Sequence, residues 1–339
     1  QSLSIRLIMI IMSFSRSHTV FAVTAVAALA LSACSSSASS PSSSASSSQA
    51  SASPMKVMAS FYPLQYLTEK IGGDLVSVES LTPPGAEPHD LELSNQKVQQ
   101  LSQAGAVVYL KGFQSAVDKA IELNAPKTVI DVSTSVDLVD AEKHESELDV
   151  ADDGEKTEEA HEHEHEHGST DPHFWLDPTR MASAATQIGD ALAQADPTNA
   201  ETYKKNAASM KSQMEALSKK LVDGTAKCQH KEFVTSHEAF GYLADRTGLT
   251  QLGLSGLDPD STPSPARLKQ ISDAVKAKGI TTIFTEELLS PKVAETLAKD
   301  LGITTAVLDP IESQADDSKD YEAVMNENLE ALQKALSCE

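Results

Sequence analysis

The chain has 339 residues, 4% aromatic side chains and a formal net charge of −22, from 27 basic and 49 acidic residues. That balance excludes a nucleic-acid-binding surface, which needs a basic face, and suits solubility and the attraction of cations. The length is large for one core and suits two lobes behind a processed leader.

In chain order, Arg6 and Arg16 precede an apolar, small-residue run from Val20 to Ala30, and Leu31-Ser32-Ala33-Cys34 follows at once. A positive start, a short apolar stretch and a small-residue cleavage site define an export signal, expected over residues 1–33. The run falls short of the roughly 20 residues that a spanning helix needs. Leu-Ser-Ala-Cys resembles a bacterial lipobox, which makes Cys34 the expected lipid anchor; a plain signal with a chance cysteine is the alternative. The first residue is Gln, so Met9 or Met12 is the expected start. Residues 34–54 are almost entirely Ser, Ala, Pro and Gln. They have nothing to bury and read as a flexible tether between lipid and domain.

From residue 55 onward, short β-branched runs alternate with helical patterns, the mark of α/β units around parallel sheets. An N-terminal lobe is expected over 55–178, with strands at Lys56–Phe61, Val76–Leu81, Ala106–Leu110 and Thr128–Val132 and helices near Pro63–Ile71 and Asn95–Ala104. Residues 141–170 form an acidic insert containing His161, His163, His165 and His167. Its composition supports no packed core, and a disordered loop is expected there.

Residues 179–223 read as linking helices. In the second of them, from Pro197 to Asp223, Tyr203, Met210, Met214, Leu217 and Leu221 recur on one helical face. Its length of roughly 40 Å at 1.5 Å per residue suits a strut across both lobes. A C-terminal lobe over 224–339 follows, with strands at Phe233–Thr235, Thr250–Leu254, Thr282–Thr285 and Thr304–Leu308. Helices are expected near Glu238–Thr247, Pro265–Lys278, Pro291–Leu301 and Tyr321–Leu336. Besides Cys34, only Cys228 and Cys338 are present. In an exported protein an even number of cysteines reads as a disulfide; two free buried thiols are the alternative, and zinc ligation by the pair lacks a C-x2-C spacing.

The histidines carry the chemistry. Of ten, His18 lies in the leader and five, His144 among them, lie in the acidic insert. His89, His173 and His237 sit in loops beside Pro, Asp or Ser, while His230 reads as an ordinary surface residue. Ligands of open α/β sheets bind beyond the carboxyl ends of strands. His89 follows the second expected strand, His237 directly follows Phe233–Thr235, and Asp309 ends Thr304–Leu308. Three neutral imidazoles and one carboxylate suit tetrahedral Zn2+, but taken singly a loop histidine is more often exposed or hydrogen-bonded than a ligand, and spacing this long does not by itself establish a site of His89, His173, His237 and Asp309.

The chain resembles the solute-binding proteins of zinc and manganese ABC importers. The resemblance runs from Lys56 to Cys338 and rests on Phe61-Tyr62-Pro63, Pro84–Asp90, Asp171–Pro178, Ser236–Tyr242, Thr285-Glu286 and Leu308-Asp309-Pro310. It implies two α/β lobes with parallel sheets joined by one long rigid helix, with the metal site in the cleft between them. It also implies that His89 and His173 are first-lobe ligands and that His237 and Asp309 come from the second lobe. Members that bind manganese tend to carry a carboxylate at the position of His237, whereas an imidazole there marks zinc-binding members. Zinc members often carry a His-rich insert as well, here an auxiliary metal-gathering loop. Glu286 and Trp175 are candidates for orienting or enclosing the ligands.

The expected function is capture of Zn2+, as transported ligand, by a monomer held on the extracytoplasmic face of the membrane by its lipid anchor. Its partners would be an ABC permease and the permease's ATPase. A manganese or iron carrier and a surface adhesin are the alternatives. A zinc hydrolase is not expected, because four protein ligands would leave no open position, and the H-E-x-x-H spacings at His161–His165 and His163–His167 arise only from the His-Glu repeat of the acidic insert.

Overall fold

The computed structural model describes residues 53–124, 126–145 and 170–339. The expected signal, Cys34, most of the tether and His161, His163, His165 and His167 lie outside the described residues. Among those described, no helix is long and apolar enough to cross a membrane.

Two four-stranded parallel sheets share one topology. In the first the order is β2-β1-β3-β4, from β1 (Met55–Ala59), β2 (Val76–Ser80), β3 (Ala106–Tyr109) and β4 (Thr128–Asp131). In the second it is β6-β5-β7-β8, from β5 (Glu232–Thr235), β6 (Thr250–Gly253), β7 (Thr282–Thr285) and β8 (Thr304–Val307). All eight expected strands are present, most of them shorter than expected by a residue or two at the ends.

Alternation along the central strands feeds two layers at once, since successive side chains of a strand point to opposite faces. Val57, Ala59, Ala106 and Val108 enter a large central core, while Met58, Val107 and Tyr109 enter an outer core of the first lobe. Phe233 and Phe284 join the same central core, and Val234 and Ile283 point into an outer core of the second lobe. The central core therefore runs through both lobes.

Helices α1 (Tyr62–Gly72), α2 (Asn95–Gln103) and α3 (Ser115–Asn124) accompany the first sheet. Of these, α3 has no counterpart in the sequence reading: only Val117, Ala120 and Ile121 are buried on its ten residues, a weak periodic signal. α4 (Pro178–Ala195) and α5 (Ala200–Thr225) follow. α6 (Gly241–Thr247), α7 (Pro265–Lys278), α8 (Lys292–Leu301) and α9 (Tyr321–Ala335) belong with the second sheet. α6 begins three residues later than expected because Glu238 is drawn into a turn: its N–H donates to Gly256 O and its carboxylate pairs with Arg267.

The 26 residues of α5 span about 39 Å at 1.5 Å per residue. Tyr203, Met210, Met214, Leu217 and Leu221 are all buried, as the periodicity requires. α5 packs on α4 along its length, on α1 of the first lobe, and on α6 and α9 of the second. It is the linking strut. Where α4 crosses it, a Cβ on Gly189 would stand 2.4 Å from that of Ala207, so only glycine permits the approach.

Residues 141–145, expected in the disordered insert, are folded instead. A short 3-10 turn spans Ala141–Lys143, and the His144 side chain is buried, 3% exposed. An antiparallel bridge between Asp140 and Thr170 brings the two ends of the insert together.

Cys228, just past α5, and Cys338, just past α9, are joined by a disulfide across 110 residues of sequence. Replacing both with Ser is expected to lower unfolding stability by about 2–4 kcal/mol, since closing so long a loop chiefly restrains the unfolded chain. Zn2+ affinity should be unchanged. Denaturant melts and a metal titration of the double variant check both halves of that expectation.

Candidate metal centre

His89, His237, Glu286 and Glu312 follow the carboxyl ends of parallel strands, and His173 lies just before the turn that leads into α4. In both sheets the strand order reverses between the two central strands, and such switch points open a crevice beyond the strand ends. His237 follows β5 directly and Glu286 follows β7, so the second-lobe crevice receives both. The loop after β2 carries His89, with Gln114 Nε2 donating to Pro88 O (3.1 Å) and Phe113 standing edge-on to the imidazole at 4.8 Å. His173 is fixed by Asp171, whose Oδ1 accepts both its backbone N–H (2.9 Å) and its Nδ1–H (2.7 Å).

His89, His173 and His237 come together, as expected from the sequence. Asp309 does not join them; Glu312 does. Glu312 Oε1 lies 3.4 Å from His89 Nε2, 3.2 Å from His173 Nε2 and 3.3 Å from His237 Nε2. The Nε2 atoms of His173 and His237 are 3.4 Å apart. Four donors bound about 2.0–2.2 Å from a tetrahedral centre stand about 3.3–3.6 Å from one another. These four separations match the dimensions of a zinc site, and all four donor atoms lie within 4.8 Å of one another.

The turn after β8 explains the correction. Asp309 Oδ1 accepts the Ile311 N–H (2.7 Å), and Asn328 clamps the Asp309 backbone with bonds of 2.9 and 2.7 Å. Trp175 Nε1 donates to Pro310 O (2.7 Å). So held, Ile311 adopts φ 58°, a left-handed conformation that a β-branched residue takes only when its surroundings impose it. The next side chain, Glu312, is thereby turned into the cleft. Asp309 builds the turn, and Glu312 is the acid that faces the three imidazoles. The Asp-Pro pair, a turn initiator, followed by a carboxylate three residues after Asp309 is the signal that could have found it. Trp175 acts here as an encloser and brace, since its ring also lies 5.2 Å from that of His173.

Electrostatics aims the nitrogens. Burial raises the Asp171 carboxyl, but His173 and His144 more than reverse this and hold it at about 2. An ionised carboxylate only accepts, so His173 Nδ1 carries the proton and Nε2 presents a lone pair. Glu286 Oε1 does the same for His237, at 2.8 Å from Nδ1. Burial works to lower the pKa of both imidazoles; Asp171 and Glu312 around His173, and Glu286 and Glu312 around His237, overrule it and raise both. His89 is lowered, chiefly by burial. Glu312 is held well below the usual carboxylate range, the three imidazoles outweighing its burial. Beside it, Glu87 accepts the His89 N–H (2.8 Å), while burial and the charge of Glu312 push its carboxyl up to about 8. Sequence reading missed Asp171, Glu87 and Glu312; the repeated pairing of an acid with a loop histidine was the available clue.

His173 and His237 are wholly buried, whereas the His89 side chain is 15% exposed. Beside it opens a cavity of about 510 Å³ with Asp140, Glu142, Glu145 and Asp258 on its wall. Negative charge on such a mouth raises the local concentration of cations.

Glu312→Ala is expected to weaken Zn2+ binding by at least the roughly 10–100-fold that loss of a supporting group costs a metal site. Asp309→Asn, whose amide oxygen can still accept the Ile311 N–H, should bind as the wild type does. Competitive titration of the two variants checks this; an equal loss in both would return Asp309 to the donor set.

The profile of the family described as zinc-uptake complex component A, periplasmic, matches residues 57–335. The zinc-binding lipoprotein AdcA of Streptococcus pneumoniae TIGR4 is 35% identical over 290 residues, 84% of this chain and 56% of the relative. The chain thus spans little more than half the length of that protein. The high-affinity zinc uptake system protein ZnuA of Bacillus subtilis is 32% identical over 83% of this chain and 88% of its own length. The crystal structure of the Zn(II)-bound ZnuA-like domain of Streptococcus pneumoniae AdcA superposes with a TM-score of 0.67 at 33% identity, covering 84% of this chain and 99% of that one. With a matching profile over most of its length and the same two-sheet fold, the chain belongs to the zinc-uptake component A family of solute-binding proteins.

Proposed function

We propose that this protein captures Zn2+ outside the cytoplasmic membrane, between His89, His173, His237 and Glu312, and delivers it to the permease of an ABC importer driven by its ATPase. One observation carries the reading: three imidazole Nε2 atoms converge on a single carboxylate oxygen at 3.2–3.4 Å, at the junction of two lobes. Names carried by the relatives, zinc-binding and zinc uptake, support the same cargo. Attachment through a lipid on Cys34, action as a monomer and weak metal gathering by His161, His163, His165 and His167 belong to the same proposal. So do the lobe boundaries at residues 178 and 224.

The site is read as a carrier's and not an enzyme's. Catalytic zinc keeps a coordination position for water and a general base beside it. Here the fourth position is filled by Glu312, and Glu286 spends its Oε1 on His237. Imidazole-rich, four-donor geometry also argues against manganese, which favours more oxygen ligands and higher coordination.

Paired titrations with Zn2+ and Mn2+ test the cargo. The wild type is expected to prefer Zn2+ strongly, His237→Glu to narrow the ratio, and His237→Ala to lose Zn2+ affinity. Equal affinity for both metals in the wild type would overturn the zinc reading. Proton competition is a separate check. Because His173 and His237 are raised above the ordinary 6.5 in the metal-free protein, protons oppose Zn2+ already above that pH. Affinity should fall continuously as pH drops from about 8 to about 5.5, the range in which histidines titrate. A flat profile would point to an oxygen-rich site.

A further inference from the structure

His144 lies outside the donor set and was grouped by composition with the acidic insert, yet its ring is buried and contacted on several sides. Nδ1 stands 2.5 Å from Asp171 Oδ2, Nε2 stands 3.4 Å from Asp245 Oδ2, and the ring sits edge-on to Tyr242 at 4.7 Å. Tyr242 in turn donates to Asp171 O (2.8 Å) and accepts the Val139 N–H (3.0 Å). A Cβ on Gly241 would meet His144 Cγ at 2.4 Å, so the start of α6 is shaped to admit this ring.

These contacts form one line. His144 Nδ1–H donates to one oxygen of Asp171, and His173 Nδ1–H donates to the other. His173 Nε2 then ends the line 3.2 Å from Glu312 Oε1. A carboxylate held at both oxygens by opposed donors has little freedom to rotate. The direction of the His173 lone pair depends on that rotation, because Asp171 fixes the ring from behind. Two of the groups that hold His144, Tyr242 and Asp245, come from α6 of the second lobe.

We infer that His144 is a positioning residue for the metal site, holding Asp171 so that His173 presents Nε2 to the ion, with α6 of the second lobe bracing a ligand of the first. The inference rests on the reading that this cluster binds Zn2+. A purely structural His144 would pin residues 141–145 to α6 and leave the metal indifferent to its loss.

His144→Leu and His144→Asn separate the two. They have nearly the same shape, but only Asn keeps an N–H close to the place of Nδ1. On the full chain, competitive Zn2+ titration is read beside the visible absorption of the Co2+-loaded protein, which reports ligand geometry, and beside thermal melts. His144→Leu is expected to raise the Zn2+ dissociation constant about 10–100-fold, the usual consequence of losing a group behind a ligand, and to shift the Co2+ bands. His144→Asn should recover most of both. Should the Leu variant not fold, His144→Ala takes its place in the same comparison. A folded Leu or Ala variant with wild-type affinity and spectrum would overturn the inference, as would equal losses in the donor-less and Asn variants. A wild type that itself fails to bind Zn2+ tightly would instead overturn the function on which the inference rests.

Discussion

Three imidazole lone pairs facing one carboxylate oxygen cannot be at rest without a positive charge among them. The nitrogens are forced into that posture from behind: Asp171 and Glu286 each claim an Nδ1–H, which leaves Nε2 as the acceptor pointing inward. In water such groups would turn away from each other. Here their loops end parallel strands and are wedged among Trp175, Phe113 and the Ile311 turn, so they cannot. The rest of the fold makes sense as the means of enforcing this confrontation. A cation relieves it, and protons compete to do the same.

The enforcement is shared between lobes. Trp175 Nε1 reaches Pro310 O, Ser313 Oγ accepts the Gly85 N–H at 2.8 Å, and Arg246 of α6 forks onto Asp177, the N-cap of α4. Each bond joins a segment carrying a first-lobe ligand, or one adjoining it, to one from the second lobe. All are at least partly buried, and the two neutral bonds each contribute about 0.5–1.5 kcal/mol.

The two sheets, α5 and its buried face are legible in the sequence because period-2 and period-3.6 patterns survive averaging over neighbours. Three of the four clustered donors are legible too, because His89, His173 and His237 stand at strand ends or beside turn-forming Pro and Asp. Glu312 is only half legible: the Asp309-Pro310 turn signal marks its neighbourhood, while its aim depends on a left-handed Ile311 that no residue-type preference announces. Asp309 drew the expectation because it is the acid nearest the strand, and proximity to a strand end is a coarser guide than the turn that follows. His144 illustrates a different failure: the composition of residues 141–170 is that of an unpacked loop, and an average over a segment hides one ring that Asp171 and Gly241 have made room for.

The central core has a mechanical consequence. Trp175, Tyr66, Tyr242 and Tyr321 are buried at the junction of the lobes, with Tyr321 bonded to the backbone of Trp175 and the Tyr66 ring tilted against Tyr321 at 5.4 Å. Parting the lobes like a clamshell would wet all four, at roughly 1.5–3 kcal/mol for each large side chain exposed, while α5 resisted the bend along its whole length. A rigid-body hinge is therefore the expensive way out for a bound ion. His89 is the least buried of the four clustered side chains and the one that stands beside the acidic cavity.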